Sequence, residues 1–351
     1  MLDLAQNLVL NLKLEIMFLI FFMLLISTTW DILFRFLNLR GYISKQRLHR
    51  EEVPRMGGLI IFLFLSFIAF VKFESDLLNL LLISFIPLAF ISFKEDFFHN
   101  TTPQARLLLM ITSCLIFLIF IPSQFPVIDI PYLMELINLK FFGFTFFIFS
   151  MLVIINGNNL IDGVNGNMGM TNSVQLLVLA ILGFNFGDHE FFNLCLILLT
   201  PLIVFLFFNF PFGKIFMGDF GAYFYGFTLS ALVIYFFGKY ENLLSWNAVL
   251  ILFYPAMELL FSFVRKKFFQ RQSPLLPDVK HLHSLICRHL RKSKKTFNNS
   301  YSLIFLFPFI LISITSLSFY DQLGGLLMIL TSGVFLYISM YLYVLKRLKL
   351  K

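Results

Sequence analysis

Charge is what this sequence has least of. Asp, Glu, Lys and Arg make up 13% of its 351 residues, against about a quarter in ordinary soluble domains. Hydrophobic residues are 59% of the chain and fifty of them are Phe, more apolar surface than a soluble domain of this length can hide. Cysteine is nearly absent as well. Cys114, Cys195 and Cys287 are widely spaced and two of them lie in apolar runs, so neither a disulfide framework nor a zinc site is indicated. Internal repeats are lacking. Asp3 precedes any Lys and the first apolar run has no small-residue cleavage site, so no removable signal peptide is expected.

What is present is a succession of apolar runs, at about 14–37, 57–73, 77–93, 106–121, 141–155, 172–187, 191–209, 220–237, 246–264, 301–319 and 323–345. They predict an all-α, polytopic integral membrane protein of about ten to eleven transmembrane helices, organised as one domain over residues 1–351. Several runs fall short of the ~20 residues a perpendicular span needs, which implies tilted packing or a thin bilayer. The Pro-punctuated, weakly amphipathic stretch 122–140 is expected along the interface.

Alternate loops divide the cations unevenly. The loops after the first, third, fifth, seventh and ninth runs, with the C-terminus and Arg106, hold twenty-two of the twenty-seven Lys and Arg residues. The positive-inside rule makes that side cytoplasmic. The formal net charge of +8 is then mostly topology, with some left to meet anionic lipid or a phosphorylated substrate; nucleic acid is not called for.

The same side collects the polar stretches. They are Arg47–Gly58 (RLHREEVPRMGG), Lys94–Arg106 (KEDFFHNTTPQAR), Asn156–Asn167 (NGNNLIDGVNGN), Asn209–Gly221 (NFPFGKIFMGDFG) and Gln270–Arg288 (QRQSPLLPDVKHLHSLICR). Five separate clusters on one face suggest one site. The third is the most telling, because three Gly, five Asn and one Asp stand where a bland turn would suffice. Gly permits positive φ and close approach to a ligand, and Asn and Asp supply short oxygen ligands and amide donors. A calcium loop is set aside because its twelfth position is Ser173 rather than a bidentate Glu.

Glu95, Asp96, Asp162 and Asp219 are hard oxygen ligands at span ends, where an unpaired carboxylate drawn toward the bilayer centre costs on the order of 2–3 kcal/mol. A divalent cation relieves that cost. Mg2+ suits a site with one or two carboxylates, since water and substrate phosphate fill its remaining positions. Arg55, Lys214 and the basic loop around His281 and His283 offer counter-charge to phosphate. The chemistry indicated is phosphoryl or phosphosugar transfer at the membrane surface. A zinc seat at His281 and His283 lacks a third ligand at suitable spacing. Asp31 and Glu258, near span ends, fit helix-to-helix hydrogen bonding, and Glu258 equally fits support of the site from behind.

At these residues the chain resembles the polyprenyl-phosphate N-acetylhexosamine-1-phosphate transferase superfamily, and more its branch acting on UDP-N-acetylglucosamine than its UDP-MurNAc-pentapeptide branch. The N-x-x-N-x-x-D-G-x-x-G loop is met by Asn156, Asn159, Asp162, Gly163 and Gly166. P-R-x-G-G is Pro54, Arg55, Gly57 and Gly58; I-F-M-G-D-x-G runs from Ile215 to Asp219 with Gly221; the late H-x-H is His281 and His283. Three departures stand out. The family's paired Asp is Glu95-Asp96, the residue after His283 is Ser284 rather than His, and Asn165 replaces an Asp common in the loop.

The resemblance implies a single transmembrane transferase domain in a bacterial inner membrane, with the 265–300 loop and the active site facing the cytoplasm. It implies that Asp219 binds Mg2+, or Mn2+ in its place, together with Asp96, and that Glu95, Asp96, Asp162 and Asp219 form the catalytic set. Asn156 and Asn159 would line the nucleotide-sugar pocket, with Arg55 and Lys214 near phosphate and His281 and His283 at the sugar or diphosphate. The partners implied are a UDP-N-acetylhexosamine and a polyprenyl phosphate, with a homodimer open to the chain. The reaction would be the first membrane step of surface polysaccharide, lipopolysaccharide O-antigen or cell-wall glycan synthesis. Because adjacent residues of a helix point about 100° apart, Asp96 is expected to face the cleft and Glu95 to reach it from the side. The competing readings are a UDP-MurNAc-pentapeptide phosphotransferase, for which Leu282 and Ser284 interrupt the expected His run, and a transporter or flippase. The last would place its ionisable groups deep in repeated halves.

Overall fold

A computed structural model describes residues 1–36, 53–271, 273, 278, 280–293, 298–319 and 321–348. Arg47–Glu52 of the first polar stretch, His49 among them, and parts of the 265–300 loop lie outside the described residues. In chain order the helices begin with α1 (Leu2–Asn11), α2 (Lys13–Phe36), α3 (Gly57–Val71), α4 (Asp76–Phe98) and α5 (Pro103–Phe120). The middle of the chain gives α6 (Pro131–Ile137), α7 (Lys140–Ile161), α8 (Asn167–Asn185), α9 (His189–Asn209) and α10 (Gly218–Lys239). The remainder forms α11 (Ser245–Ile251), α12 (Phe253–Val264), α13 (Leu282–Ser293), α14 (Leu303–Thr315) and α15 (Leu323–Leu348). A π-helical turn, Arg265–Phe269, continues α12. Among the described residues there is no strand.

Among the described residues seven helices are long and apolar enough to cross a membrane, α4, α5, α7, α8, α9, α10 and α15. Two bent pairs, α1 with α2 at 64° and α11 with α12 at 83°, raise the number to nine if each is one span. Two shorter apolar segments, 57–71 and 299–315, stand where the sequence places two further runs. The chain is an all-α, polytopic membrane protein. The short stretch expected at the interface contains α6, which is mostly exposed and packs on α7.

α10 is the centre of the bundle. Of its residues only Asp219, Tyr235 and Lys239 are not buried. It packs against α3, α4, α7 and α8. Apolar side chains gain little from leaving lipid, so close approach of backbones and good packing must hold such helices together. Small residues provide it here. A Cβ on Gly58 would lie 2.2 Å from the backbone of Gly221, and one on Gly226 would lie 2.7 Å from Ile155 Cα. Above these contacts Phe62, Phe85, Phe220 and Phe224 meet mostly edge to face, with ring centroids 5.1–5.7 Å apart, geometry that suits the ring quadrupole.

The break between α11 and α12 has a local cause and a local remedy. Pro255, four residues after Ile251, has no N–H to give the Ile251 carbonyl, and an unmet polar group costs several kcal/mol away from water. Gln175 Nε2 of α8 (3.0 Å) and Ser313 Oγ of α14 (2.8 Å) both donate to that carbonyl. The bend is therefore fixed by two neighbouring helices.

Gly58→Ala forces α3 and α10 apart and is expected to destabilise the protein by about 1–3 kcal/mol, the usual penalty of overpacking. Gly324, with open space around its Cβ direction, should accept Ala without effect. Thermal unfolding in detergent checks both; equal midpoints for the two variants would contradict the close α3–α10 contact.

Candidate active site

The site forms where α10 begins. Gly218 adopts φ +77°, and a Cβ there would lie 2.6 Å from Asp96 Oδ2 and 2.8 Å from the Arg55 carbonyl. Only glycine lets the chain enter α10 this close to α4. The Pro54–Gly58 segment lies alongside, since Phe216 donates to the Pro54 carbonyl (2.8 Å), Gly57 to that of Phe216 (3.0 Å) and Gly58 to that of Met217 (2.9 Å). Two motifs 160 residues apart are thus one backbone-bonded unit.

Asp96, in the last turn of α4, closes this unit. Its Oδ1 accepts the Asp219 N–H at 2.9 Å and its Oδ2 the Phe220 N–H at 2.8 Å. These are first-turn donors with no partner inside their own helix, and a carboxylate also complements the positive end of the helix dipole. Asp219 itself projects from the same turn. Its Oδ1 accepts from Asn159 Nδ2 of α7 (3.2 Å), and its Oδ2 lies 3.7 Å from Arg106 Nη1 of α5.

The expected division between Glu95 and Asp96 is altered. Glu95 does not reach toward Asp219; its Oε2 accepts the Thr101 N–H at 3.2 Å and the Thr101 hydroxyl. The longer side chain closes the turn between α4 and α5, and Asp96 faces α10.

The Asn/Gly stretch is helix more than loop. α7 runs to Ile161, and only residues 162–166 turn before α8 starts after Gly166, at φ +81°. Helix extends this far because the polar side chains are used along it. Asn158 Nδ2 donates to the Ala222 carbonyl (2.7 Å), and Asn156 Nδ2 donates to Leu152 O (2.8 Å) on the side of Met110 in α5. Asn165 is buried and donates to the Pro211 carbonyl (3.0 Å), so at this position an amide does a pinning task an Asp could not. Asp162 is half-buried at the end of α7. Burial pushes its carboxyl up to about 8, with Arg55 opposing and Asp219 adding to the shift.

The histidines arrive from the far side of the same turn. His283 Nε2 stands where a Gly163 Cβ would be, 2.1 Å from it, so glycine at that position admits the ring. The His281 and His283 rings lie parallel, centroids 5.7 Å apart. Burial pulls His283 down to about 4, against the pull of Glu258 and with the help of His281, so it is a neutral imidazole at pH 7. His281 Nδ1 is 3.0 Å from Glu258 Oε1. Lys214 is exposed in the turn before α10, and its backbone N–H bonds Phe208.

The structure therefore brings Asp96, Asn159 and Asp219 into direct contact, with Asp162 and Arg55 close by. His283 sits over Gly163, Asn156 lies one turn deeper, and Lys214 stands at the margin. Two residues matter more here than the sequence suggests. Arg106 reads as a topological charge yet faces Asp219, and Asp278, three residues before His281, pairs with Arg265.

The donor set suits a hard ion with few protein ligands. Asp219 keeps free lone pairs and a side chain 21% exposed, and each Asp96 oxygen accepts a single N–H. Among the described residues no three His, Cys, Asp or Glu side chains gather to hold a metal. A hard ion held there would complete its coordination with water and phosphate oxygens.

The glycosyl transferase family 4 model matches residues 77–237, the stretch carrying Glu95, Asp96, Arg106, the Asn/Gly turn and Asp219. The chain is 25% identical over 245 residues to a probable undecaprenyl-phosphate N-acetylglucosaminyl 1-phosphate transferase of Bacillus subtilis, covering 68% of this chain and 67% of that one. It is 28% identical over 255 residues to an undecaprenyl-phosphate alpha-N-acetylglucosaminyl 1-phosphate transferase of Thermotoga maritima, covering 72% and 74%. A phospho-N-acetylmuramoyl-pentapeptide-transferase of Clostridium perfringens is 32% identical over 202 residues, covering 53% and 62%. Against such pentapeptide transferases the chain spans about three fifths of their length.

Asp96→Asn puts an amide donor against one of two backbone N–H groups whichever way it turns. The expected cost is about 1–3 kcal/mol, that of leaving a buried donor unmet, read as a lower unfolding midpoint. Glu95→Gln retains an acceptor for Thr101 and should unfold near the wild-type temperature. An unchanged midpoint for Asp96→Asn would contradict its role at the start of α10.

Proposed function

We propose that the chain, whose residues 77–237 match the glycosyl transferase family 4 model, is a member of the polyprenyl-phosphate N-acetylhexosamine-1-phosphate transferase superfamily and moves a sugar phosphate onto a lipid. The donor is a UDP-N-acetylhexosamine and the acceptor a polyprenyl phosphate such as undecaprenyl phosphate. An acceptor phosphate oxygen attacks the β-phosphorus of the donor; the bond from that phosphorus to the bridging oxygen breaks, and UMP leaves with the bridging oxygen. A lipid-linked diphosphosugar remains. The observation that carries the reading is the convergence of Asp96, Asn159 and Asp219 from three helices at the start of α10.

The residues have separable tasks. Asp219, with Asp96, holds Mg2+ or Mn2+, which when bound neutralises the diphosphate. Asp96 also keeps Asp219 in place through the α10 backbone. Arg55, Arg106 and Lys214 supply positive charge around the phosphates, and Asn156, Asn159 and Asp162 line the nucleotide-sugar side. His281 and His283 meet the sugar or diphosphate. No base is required, because a phosphate monoester with a second pKa near 6 is largely dianionic at pH 7. The uneven distribution of Lys and Arg supports a cytoplasmic site.

The names of two relatives, undecaprenyl-phosphate N-acetylglucosaminyl 1-phosphate transferases, favour N-acetylglucosamine 1-phosphate as the group transferred, and a surface glycan is the destination proposed with it. UDP-MurNAc-pentapeptide is the second reading, supported by the similarity to pentapeptide transferases. The chain's single H-x-H, with Leu282 and Ser284 around His283, weighs against it.

UMP release measured over a panel of UDP-sugars with undecaprenyl phosphate should single out an N-acetylhexosamine donor without a peptide. Asp219→Asn should reduce release at least ~100-fold, the scale on which a placed catalytic group acts, and Glu95→Asp should stay within about tenfold. Full activity of Asp219→Asn at saturating Mg2+ would remove Asp219 from the metal site.

A further inference from the structure

One carboxylate of the bundle is almost wholly enclosed, belongs to no family motif quoted above, and touches a residue of the site. Glu258 lies in α12 with its side chain 1% exposed. Its Oε2 accepts the Tyr337 hydroxyl of α15 at 2.9 Å. Its Oε1 accepts the Leu282 N–H at 3.2 Å and lies 3.0 Å from His281 Nδ1. A charged group in a spanning helix is costly unless paired, and such residues mark function by default. Here donors from α13, α15 and the residue before α13 meet at one carboxylate.

The geometry settles which histidine nitrogen carries a proton. An ionised carboxylate only accepts, and Oε1 already receives an N–H from the next residue, so the His281 nitrogen facing it must donate. Nδ1–H is then the tautomer held, and Nε2 is left unprotonated. That atom points away from Glu258, 4.0 Å from Asp278 Oδ2, whose carboxylate pairs with Arg265. Tyr337, fully buried and in ring contact with Phe261 and Phe309 at 5.2 and 5.4 Å, cannot swing away and so fixes Glu258 from behind. Partners of this kind commonly set the ring orientation of a working histidine.

We propose that Glu258 is a positioning residue that holds His281 as its Nδ1–H tautomer, leaving Nε2 as an acceptor for a hydroxyl of the substrate sugar. The last clause rests on the function proposed above; the hold on His281 does not. Glu258 touches no substrate and acts through His281 alone.

The direct test is the 15N spectrum of full-length, histidine-labelled protein in nanodiscs, with the His281 resonances identified by their loss in His281→Ala. The wild type should show a protonated Nδ1, and Glu258→Leu, which keeps the volume but offers no acceptor, should shift the ring toward the Nε2–H form. Glu258→Gln, whose carbonyl can still accept from both His281 and Leu282, should retain the wild-type pattern. Finding Nε2–H in the wild type overturns the proposal without any Glu258 variant, so a failure of Glu258→Leu to fold leaves it decidable. In UMP release, Glu258→Leu should lower kcat ~10–100-fold with KM for both substrates within about threefold. Added to His281→Ala it should lower the residual rate no more than about twofold. Losses that multiply in the double variant would show that Glu258 acts other than through His281. If no UDP-sugar is turned over while the tautomer behaves as described, the proposed function fails and the hold of Glu258 on His281 stands.

Discussion

The site depends on one carboxylate meeting one helix end. Asp96 accepts the N–H groups of Asp219 and Phe220, which belong to the helix around which the bundle packs. In a membrane, α10 has little hydrophobic reason to prefer one depth over another, because lipid and neighbouring helices are about equally apolar. A charge-assisted pair of hydrogen bonds at its first turn supplies that preference. The depth of α10 then sets where Asp219 stands, and with it the positions of Asn159 and Arg106. Glycine at 218, 221 and 58 is what lets the three backbones come close enough for the contact to form.

The opposite end of the bundle is built from the same materials for a different purpose. Asp188 caps α9 through the Phe191 N–H and also accepts from Lys239 and Tyr240 at the end of α10. There Asp188 and Lys239 answer each other and the carboxylate is used up as a clasp. At the Asp219 end, a carboxylate keeps spare lone pairs beside Arg106, with Arg55 and a half-buried Asp162 close by. A bundle fastened at one end and left under-coordinated at the other is suited to receive a diphosphate and its ion without giving up its fold.

Much of this was legible in the sequence, and the remainder was hidden for identifiable reasons. Apolar run length located the helices well, since the bilayer imposes a length that composition reveals. It does not show that Gln175 and Ser313 reach the Ile251 carbonyl, left without a helical donor by Pro255, from distant helices. The polar stretches were recognisable as a group because they alternate with spans on one side. Composition makes the Asn-rich one look like a loop, although half of it is helix; asparagines are poor helix formers on propensity alone, and here partners for Asn156, Asn158 and Asn159 override that tendency. The roles of neighbours were least visible. Glu95 and Asp96 diverge because their helix ends between two sets of donors, the Thr101 turn and the α10 N-terminus, and neither is written locally. Arg106 was hidden by its type, since a cation at a span end is explained by topology before chemistry is considered.

In the function proposed above, the Asp219 end of the bundle catalyses direct transfer between a nucleotide sugar and a lipid phosphate. Isotope exchange examines it most closely. Purified protein in nanodiscs, given labelled UMP and an unlabelled UDP-N-acetylhexosamine with Mg2+, should place label in the UDP-sugar when undecaprenyl phosphate is present and not when it is withheld. Exchange without the lipid would mean that a protein group accepts the sugar phosphate, and no exchange with the lipid present across the UDP-sugars would mean that this site does not perform the transfer.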